Sequence, residues 1–415
     1  MTLPQHVDIA IIGAGAAGIG AARTVQAAGR STLLIEARER LGGRSWTVTL
    51  EGGIPFDVGC EWLHSADRNS LVPIAHQLGF VVDTSRPRWR EQTFNVGFPA
   101  DERAAFRAAI EAFYARAEIA SGADEDAPAS RWLEPGNRWN PLIDAISTYI
   151  NGCELHAVSV HDMDAYEETD FNWRIKHGLG ALIAAYGAPC PAALGTVASV
   201  IDHAGPRITI ETSRGTLTAE RVIVTIPTDL LAAEAVRFSP SLPDKVAAAA
   251  GLPLGLADKV MLAVTSHLDD LPPDGHLYGA TDRAGVGSFH LRPLGLPCIS
   301  GFFGGSHARQ LADAGEGALA AQAIDEVVAL LGSDWRRRLR PLTASRWSHD
   351  PFARGSYSHA LPSHAGDRAI LAAPVNDRLF FAGEATSPNF FTTAHGARDS
   401  GERAAREALA SFSRR

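Results

Sequence analysis

Sulfur is scarce in this 415-residue chain, which has four cysteines and three methionines. Cys60, Cys153, Cys190 and Cys298 are scattered and form no CxxC pair. Neither a zinc site nor a disulfide frame is expected, and they read as buried thiols of a reducing compartment. No apolar run reaches the roughly 18 residues of a membrane span. The opening MTLPQHVD has no basic region ahead of an apolar core, so no signal peptide is expected. Positive charge is in deficit, the net charge being −9. That disfavours nucleic acid and anionic membrane as partners and mildly favours cationic substrates. The expectation is a soluble, cytoplasmic protein without a metal.

What is present is a globular composition, 46% hydrophobic and 20% charged, long enough for two domains. The informative stretch runs from Asp8 to Arg44. Ile9–Ile12 reads as a buried parallel strand. Gly13, Gly15 and Gly18 follow in GxGxxG spacing, then a helix over Ile19–Ala28 that ends at Gly29, then a second strand, Thr32–Ile35, delivering Glu36. This is a dinucleotide-binding βαβ unit. Gly13 makes the tight turn, Gly15 lets main chain approach a pyrophosphate, and Gly18 lets helix and strand pack closely. The helix N-terminus, with Ala16 and Ala17, offers N–H groups to phosphates. Glu36 suits ribose hydroxyls and argues against a 2′-phosphate.

The residues after Glu36 separate one dinucleotide from another. Ala37, Arg38, Gly42, Gly43 and Arg44 complete a pattern that resembles the flavin-containing amine oxidase family (monoamine, polyamine and histone-demethylating oxidases), in which ExxxRxGGR closes over the FAD pyrophosphate. The resemblance implies an α/β fold. A discontinuous Rossmann-like FAD domain would take residues 1–70, 195–250 and 345–415. An α+β substrate domain would take 71–194 and 251–344. It places Gly59, Cys60, Glu61 and Trp62 beside the flavin ring, and Val197 on adenine through its backbone. Near the C-terminus, Trp347 of RWSHDPFARGSYS, Gly383, Glu384, Thr393 and Ala394 would also meet FAD, Glu384 through a ribitol hydroxyl. A helix beginning near Gly396 would aim its N-terminus at the flavin pyrimidine edge.

Other stretches read more plainly. Leu71–Leu78, Asp101–Ile119, Pro141–Cys153 and Ala308–Leu331 are helical, and Asp229–Pro253 reads as helical and Ala-rich. Ser121–Ser130 is a polar loop expected to be exposed. His161–Asp164 with Glu167, Glu168 and Asp170 reads as a solvated acidic loop. Trp335–Arg340 reads as solvated surface.

By resemblance, the reaction is two-electron oxidation of an amine to an imine, with oxygen reoxidising the flavin to give hydrogen peroxide. Tyr357 is one wall of the cage around the reacting carbon. The second wall falls on Thr393, a small residue, with Phe390 or Phe391 available to fill the gap. His64 would face the substrate tunnel. Lys259, on an apolar strand where a lysine is costly to bury, would hold a water against flavin N5. An L-amino acid oxidase of the same fold would instead need a carboxylate-binding Arg, for which Arg88 and Arg90 are candidates. A desaturase or porphyrinogen oxidase, or a non-enzymatic flavoprotein scaffold, is the remaining alternative. Oligomeric state is not legible, and a homodimer is left open. Covalent relatives attach flavin through a Cys where this chain has Ser356, so FAD is expected to be noncovalent. The purified protein should be yellow, and acid precipitation should release all of its flavin as FAD. Flavin retained on the precipitate would contradict the assignment.

Overall fold

Two main sheets, with two small ones beside them, surround a large cavity among the described residues. The computed structural model describes residues 3–414; Met1, Thr2 and Arg415, at the two termini, lie outside it. The larger sheet has eight strands. His6–Ile12 pairs in parallel with Thr32–Ile35 on one side and with Gly215–Val224 on the other. Gly215–Val224 shares its far edge between antiparallel Ile208–Thr212 and parallel Leu379–Phe381. These strands are nearly continuous apolar runs, as expected where both faces are covered. Helix Ala16–Ala27 covers one face. It meets the C-terminal helix, Ala394–Ser411, main chain to main chain: a Cβ on Gly401 would fall 1.9 Å from the Ala17 carbonyl oxygen, and one on Gly20 would fall 2.5 Å from that of Arg398.

The smaller sheet is antiparallel and five-stranded, in the order Gly275–Tyr278, Ser288–Leu291, Cys298–Gly304, Ala257–Val264, Leu339–Ala344. Its alternation is the period of two that strands impose. Phe289, Leu291, Ile299 and Phe303 join an apolar core with residues of Ala318–Leu331. Lys259, His276, Ser288, His290, Ser300 and Phe302 face the cavity instead. No helix among the described residues is long and apolar enough to cross a membrane.

Several sequence expectations need correction. The first helix starts at Ala16, not Ile19, because Gly15 is already its extended N-cap. Asp229–Pro253 is not one helix: Thr228–Ala232 and Pro243–Gly251 are separated by the strand Arg237–Ser239 and Pro240. Prolines at 240 and 243 remove the N–H groups a continuous helix would need. The strand Ala192–Ala193 belongs to the larger sheet, just before the expected boundary at 195; two alanines carry no periodicity. Ser121–Ser130 is only half exposed, since Ala127 and Ala129 are buried and Asp126 accepts from Ser159 and from the Ser363 N–H. Trp335 is buried beneath the Arg338 guanidinium, 3.7 Å from its ring, so that segment is not simply solvated.

The acidic stretch is split in the same way. Asp162 is buried and forms a two-pronged ion pair with buried Arg368, at 2.5 and 2.8 Å. Arg368 continues to Ser358 Oγ, and Ser358 to Glu384. Asp162→Asn leaves a guanidinium buried without its counter-charge, which costs about 3–5 kcal/mol. Thermal or denaturant unfolding should show that loss, and Asp162→Leu with Arg368→Met should recover much of it. A near-wild-type Asp162→Asn would show that the pair is dispensable.

Candidate active site

The ends of the parallel strands converge on one cavity of about 1630 Å³. That exceeds the roughly 300–1,000 Å³ of a single small-molecule site and suits a dinucleotide with a substrate beyond it. Ile12, Ile35, Thr225 and Gly383 line it at the carboxyl ends of their strands, where open α/β sheets bind ligands.

Its first part is a main-chain cradle. Gly13 turns with φ +101° and donates to the Ile35 carbonyl at 2.8 Å. Gly15 has no side chain to cap the helix behind it, so the leading N–H groups at Ala16 and Ala17 face the cavity. Gly43, at φ +58°, lies so near that its Cβ would come within 3.1 Å of Gly15 Cα. Gly18 is the one residue of the cradle motif that does not line the cavity; its Cβ would fall 2.0 Å from the Gly13 carbonyl oxygen, so it serves close packing. Glu36 is buried, accepting from Ala14 N–H at 2.7 Å and Arg38 N–H at 2.9 Å. One lone pair on each oxygen is left for a ribose hydroxyl. Arg38 is held by Asp350 at 2.6 Å. The cradle fits FAD: main-chain donors at a helix N-terminus for pyrophosphate, and a carboxylate for ribose.

Two predicted contacts are already engaged within the chain. Val197 lines the cavity, but its N–H donates to Ser213 Oγ and its carbonyl accepts from Ser213 N–H. Its N–H is thus engaged, while its carbonyl keeps a second lone pair for adenine. Glu384 accepts from Arg44, Ser358 N–H, Ser358 Oγ and Thr392 N–H, which occupies all four acceptor positions of a carboxylate. A ribitol hydroxyl would have to share one. Thr393 caps the C-terminal helix, its Oγ1 accepting from Gly396 N–H at 3.0 Å, with Ala394 beside it on the cavity. Trp347 donates from its ring to the Val58 carbonyl, against the Gly59 turn.

The second part of the cavity is a chamber with an aromatic side and a polar floor. Lys259 rises from the smaller sheet, buried, with Nζ 2.9 Å from Glu61 Oε2 and 3.2 Å from the Asp57 carbonyl. Burial alone would raise the Glu61 carboxyl; Lys259, His290 and Arg174 together hold it below the usual carboxylate range. Burial drives Asp57 up to about 6, against the nearby Lys259 and bonds from Thr47, Gly180 and Leu179. Ser356 is pinned to the start of the Lys259 strand by bonds to both backbone groups of Ala257. The next residue, Tyr357, lines the chamber and donates its hydroxyl to the Tyr149 carbonyl. His64 Nδ1 meets Asn172 Oδ1 at 2.8 Å, and Asn172 Nδ2 donates to Glu168. That orientation makes Oδ1 the acceptor and leaves His64 Nε2 unprotonated. Burial lowers the His64 pKa further.

Apart from Gly18, Phe390 and Arg88, every candidate site residue read from the sequence lines this one cavity. Of the two Phe candidates, Phe391 lines it, whereas Phe390 packs on His395 instead. Arg88 does not line it; Arg90 does, at an exposed position opposite Asp170. Sequence reasoning missed Tyr166, which lines the chamber edge-on to Phe391 at 5.4 Å, and Trp89, 4.7 Å from Trp62. It also missed His290. Only His290 left a trace, in the alternation of its strand.

A sequence model described as "Flavin containing amine oxidoreductase" matches residues 16–409. Over 98% of its length the chain is 29% identical to "Lysine-specific histone demethylase 1 homolog 2" of Oryza sativa subsp. japonica, of which it spans 58%. It is 27% identical to "Polyamine oxidase 4" of the same organism, over 96% of this chain and 88% of that protein. The chain thus spans little more than half the length of the demethylase relatives. Among solved structures, cyclohexylamine oxidase from Brevibacterium oxydans IH-35A superposes with TM-score 0.82 at 21% identity, over 99% of this chain and 100% of the other. A putrescine oxidase double mutant gives 0.80 at 18% identity, over 98% and 99%. These two show the fold. With the cradle and the family match over nearly the whole chain, the conclusion is that the protein belongs to the flavin-containing amine oxidoreductases.

Proposed function

We propose that the enzyme oxidises a simple amine, with oxygen as the electron acceptor. The observation that supports this best is the continuity of the cavity: Lys259, Tyr357 and His64 line the same space as the FAD cradle. When bound, FAD supplies the hydride acceptor for the carbon next to nitrogen, and oxygen then takes the electrons to give hydrogen peroxide. The imine hydrolyses to an aldehyde or ketone and an amine or ammonia.

The chain's own residues admit, neutralise and position the amine. Tyr357 offers an aromatic face to an ammonium, worth about 0.5–2 kcal/mol. Thr393 is too small for the opposite wall, and we assign that wall to Tyr166, backed by Phe391. Tyr166 lines the same cavity as Tyr357, and its hydroxyl is hydrogen-bonded with the Thr392 side chain. A dry aromatic chamber favours the neutral amine, and His64 Nε2 is available to accept the departing proton. Arg174, over the Trp62 ring at 5.0 Å, is consumed by Asp83 and Asp274 and offers no free clamp for a carboxylate. Arg86, Arg90 and Arg107 line the cavity only at exposed positions. The four free thiols suit the cytoplasm.

Tyr357→Ala and Tyr166→Ala should each lower kcat/KM for amines by roughly 2- to 30-fold, with FAD still bound, and Tyr166→Phe should stay near wild type. Tyr166→Ala without effect would remove it as a wall. The rate should also climb with pH across about 6 to 9 as the free amine grows. His64, held neutral by burial, adds no second limb in that range. Efficient oxidation of L-amino acids, with none of the matching decarboxylated amines, would overturn the simple-amine reading in favour of an amino acid oxidase.

A further inference from the structure

Lys259 does not face the cavity as a lone cation. Its ammonium is 2.9 Å from the Glu61 carboxylate, and a second carboxylate, Asp57, lies close enough to be perturbed by it. Asp57 is tied up by Thr47, Leu179 and Gly180 behind the lysine, whereas Glu61 lines the cavity in front. Glu61 is therefore the counter-charge that shares the cavity with Lys259. The other charged or titratable groups acting on Glu61 include His290, 6.3 Å from Trp62 by ring centroids, His64, and Arg174, which is already neutralised by two aspartates. The nearby Cys60 thiol is pushed up to about 11 by burial and carries no charge at neutral pH.

We infer that Glu61 is a positioning residue that screens the Lys259 charge and so restrains both the reduction of the flavin and its reaction with oxygen. The inference rests on the proposed place of Lys259 beside the redox ring. Charge beside that ring is one of the protein's main controls over its electronics. Reduction adds negative charge to the ring, and transfer of electrons to oxygen builds negative charge next to it. A bare ammonium favours both; an ammonium with a carboxylate in contact acts as a dipole, whose field falls off faster with distance. The pairing commits the Glu61 carboxylate to Lys259, while its main chain remains in the segment that lines the cavity.

The test uses FAD-loaded protein and needs no amine. Flavin is reduced photochemically, its midpoint potential is measured against a dye, and reoxidation by dissolved oxygen is followed in stopped flow. Glu61→Gln, which keeps the shape and removes the charge, should shift the reduction equilibrium about tenfold towards the reduced form, or about 30 mV for two electrons. It should also speed reoxidation about tenfold. Glu61→Asp should restore most of the wild-type potential. Lys259→Met should move both quantities the opposite way. If Lys259→Met lowers the potential but Glu61→Gln leaves it unchanged or lowers it too, the screening role is wrong and the Lys259 reading survives. If Lys259→Met changes neither quantity, the Lys259 reading falls and the inference with it.

Discussion

A buried chain of charge holds the halves of this protein in register. Arg44, from the end of the first βαβ unit, reaches Glu384 on the far side of the sequence and the Ser356 carbonyl beside it. Glu384 gathers Ser358 and Thr392; Ser358 meets Arg368; Arg368 meets Asp162, which lies in sequence between the larger-sheet strands Thr32–Ile35 and Ala192–Ala193. None of these groups could be buried alone, because desolvating a single charge outweighs any contact it makes. Each exists because the next one does. The cradle, the Tyr357 turn and the segment leading to Tyr166 are thereby fixed against one another before any ligand arrives.

The two sheets divide the chemistry. The larger sheet offers strand ends, glycine turns, a helix N-terminus and the Glu36 carboxylate, because phosphates are best met by main-chain N–H groups and ribose hydroxyls by a carboxylate. The antiparallel sheet does the reverse. One face packs Phe289, Phe303 and Ile299 into a core, and the other raises Lys259, His276 and His290 into the chamber. A one-residue slip in that sheet would bury the lysine in the core and expose the phenylalanines. The antiparallel partners of Lys259, Phe302 on one strand and the Ser345 bonds on the other side, hold the register.

What could be read beforehand was what depends on local spacing. The glycine turns, Glu36, the Lys259 strand and the Tyr357 segment each announce themselves within a few residues, and all but Gly18 meet in one cavity. What could not be read was pairing across distance. Asp162 is chemically indistinguishable in sequence from its solvated neighbours until Arg368 arrives, 206 residues later. Glu61 sits inside a stretch that reads as flavin-facing main chain, and nothing local says that its carboxylate will seek Lys259. Tyr166 was hidden in an acidic run whose composition suggests water on every side. Helix ends moved for a simpler reason: Gly15 can cap where a residue with a side chain would not approach so closely.

The continuity of the cavity ties the stability of the fold to what fills it. A space of about 1630 Å³ between two sheets is not an ornament on a finished fold but the place where the two cores face each other. A cofactor that fills it becomes part of the interior, and its binding free energy adds to the stability of the folded chain, by about 2.7 kcal/mol at a hundredfold excess over its dissociation constant. The cofactor-free chain should therefore open more readily than the loaded one, and a protease should cut it faster.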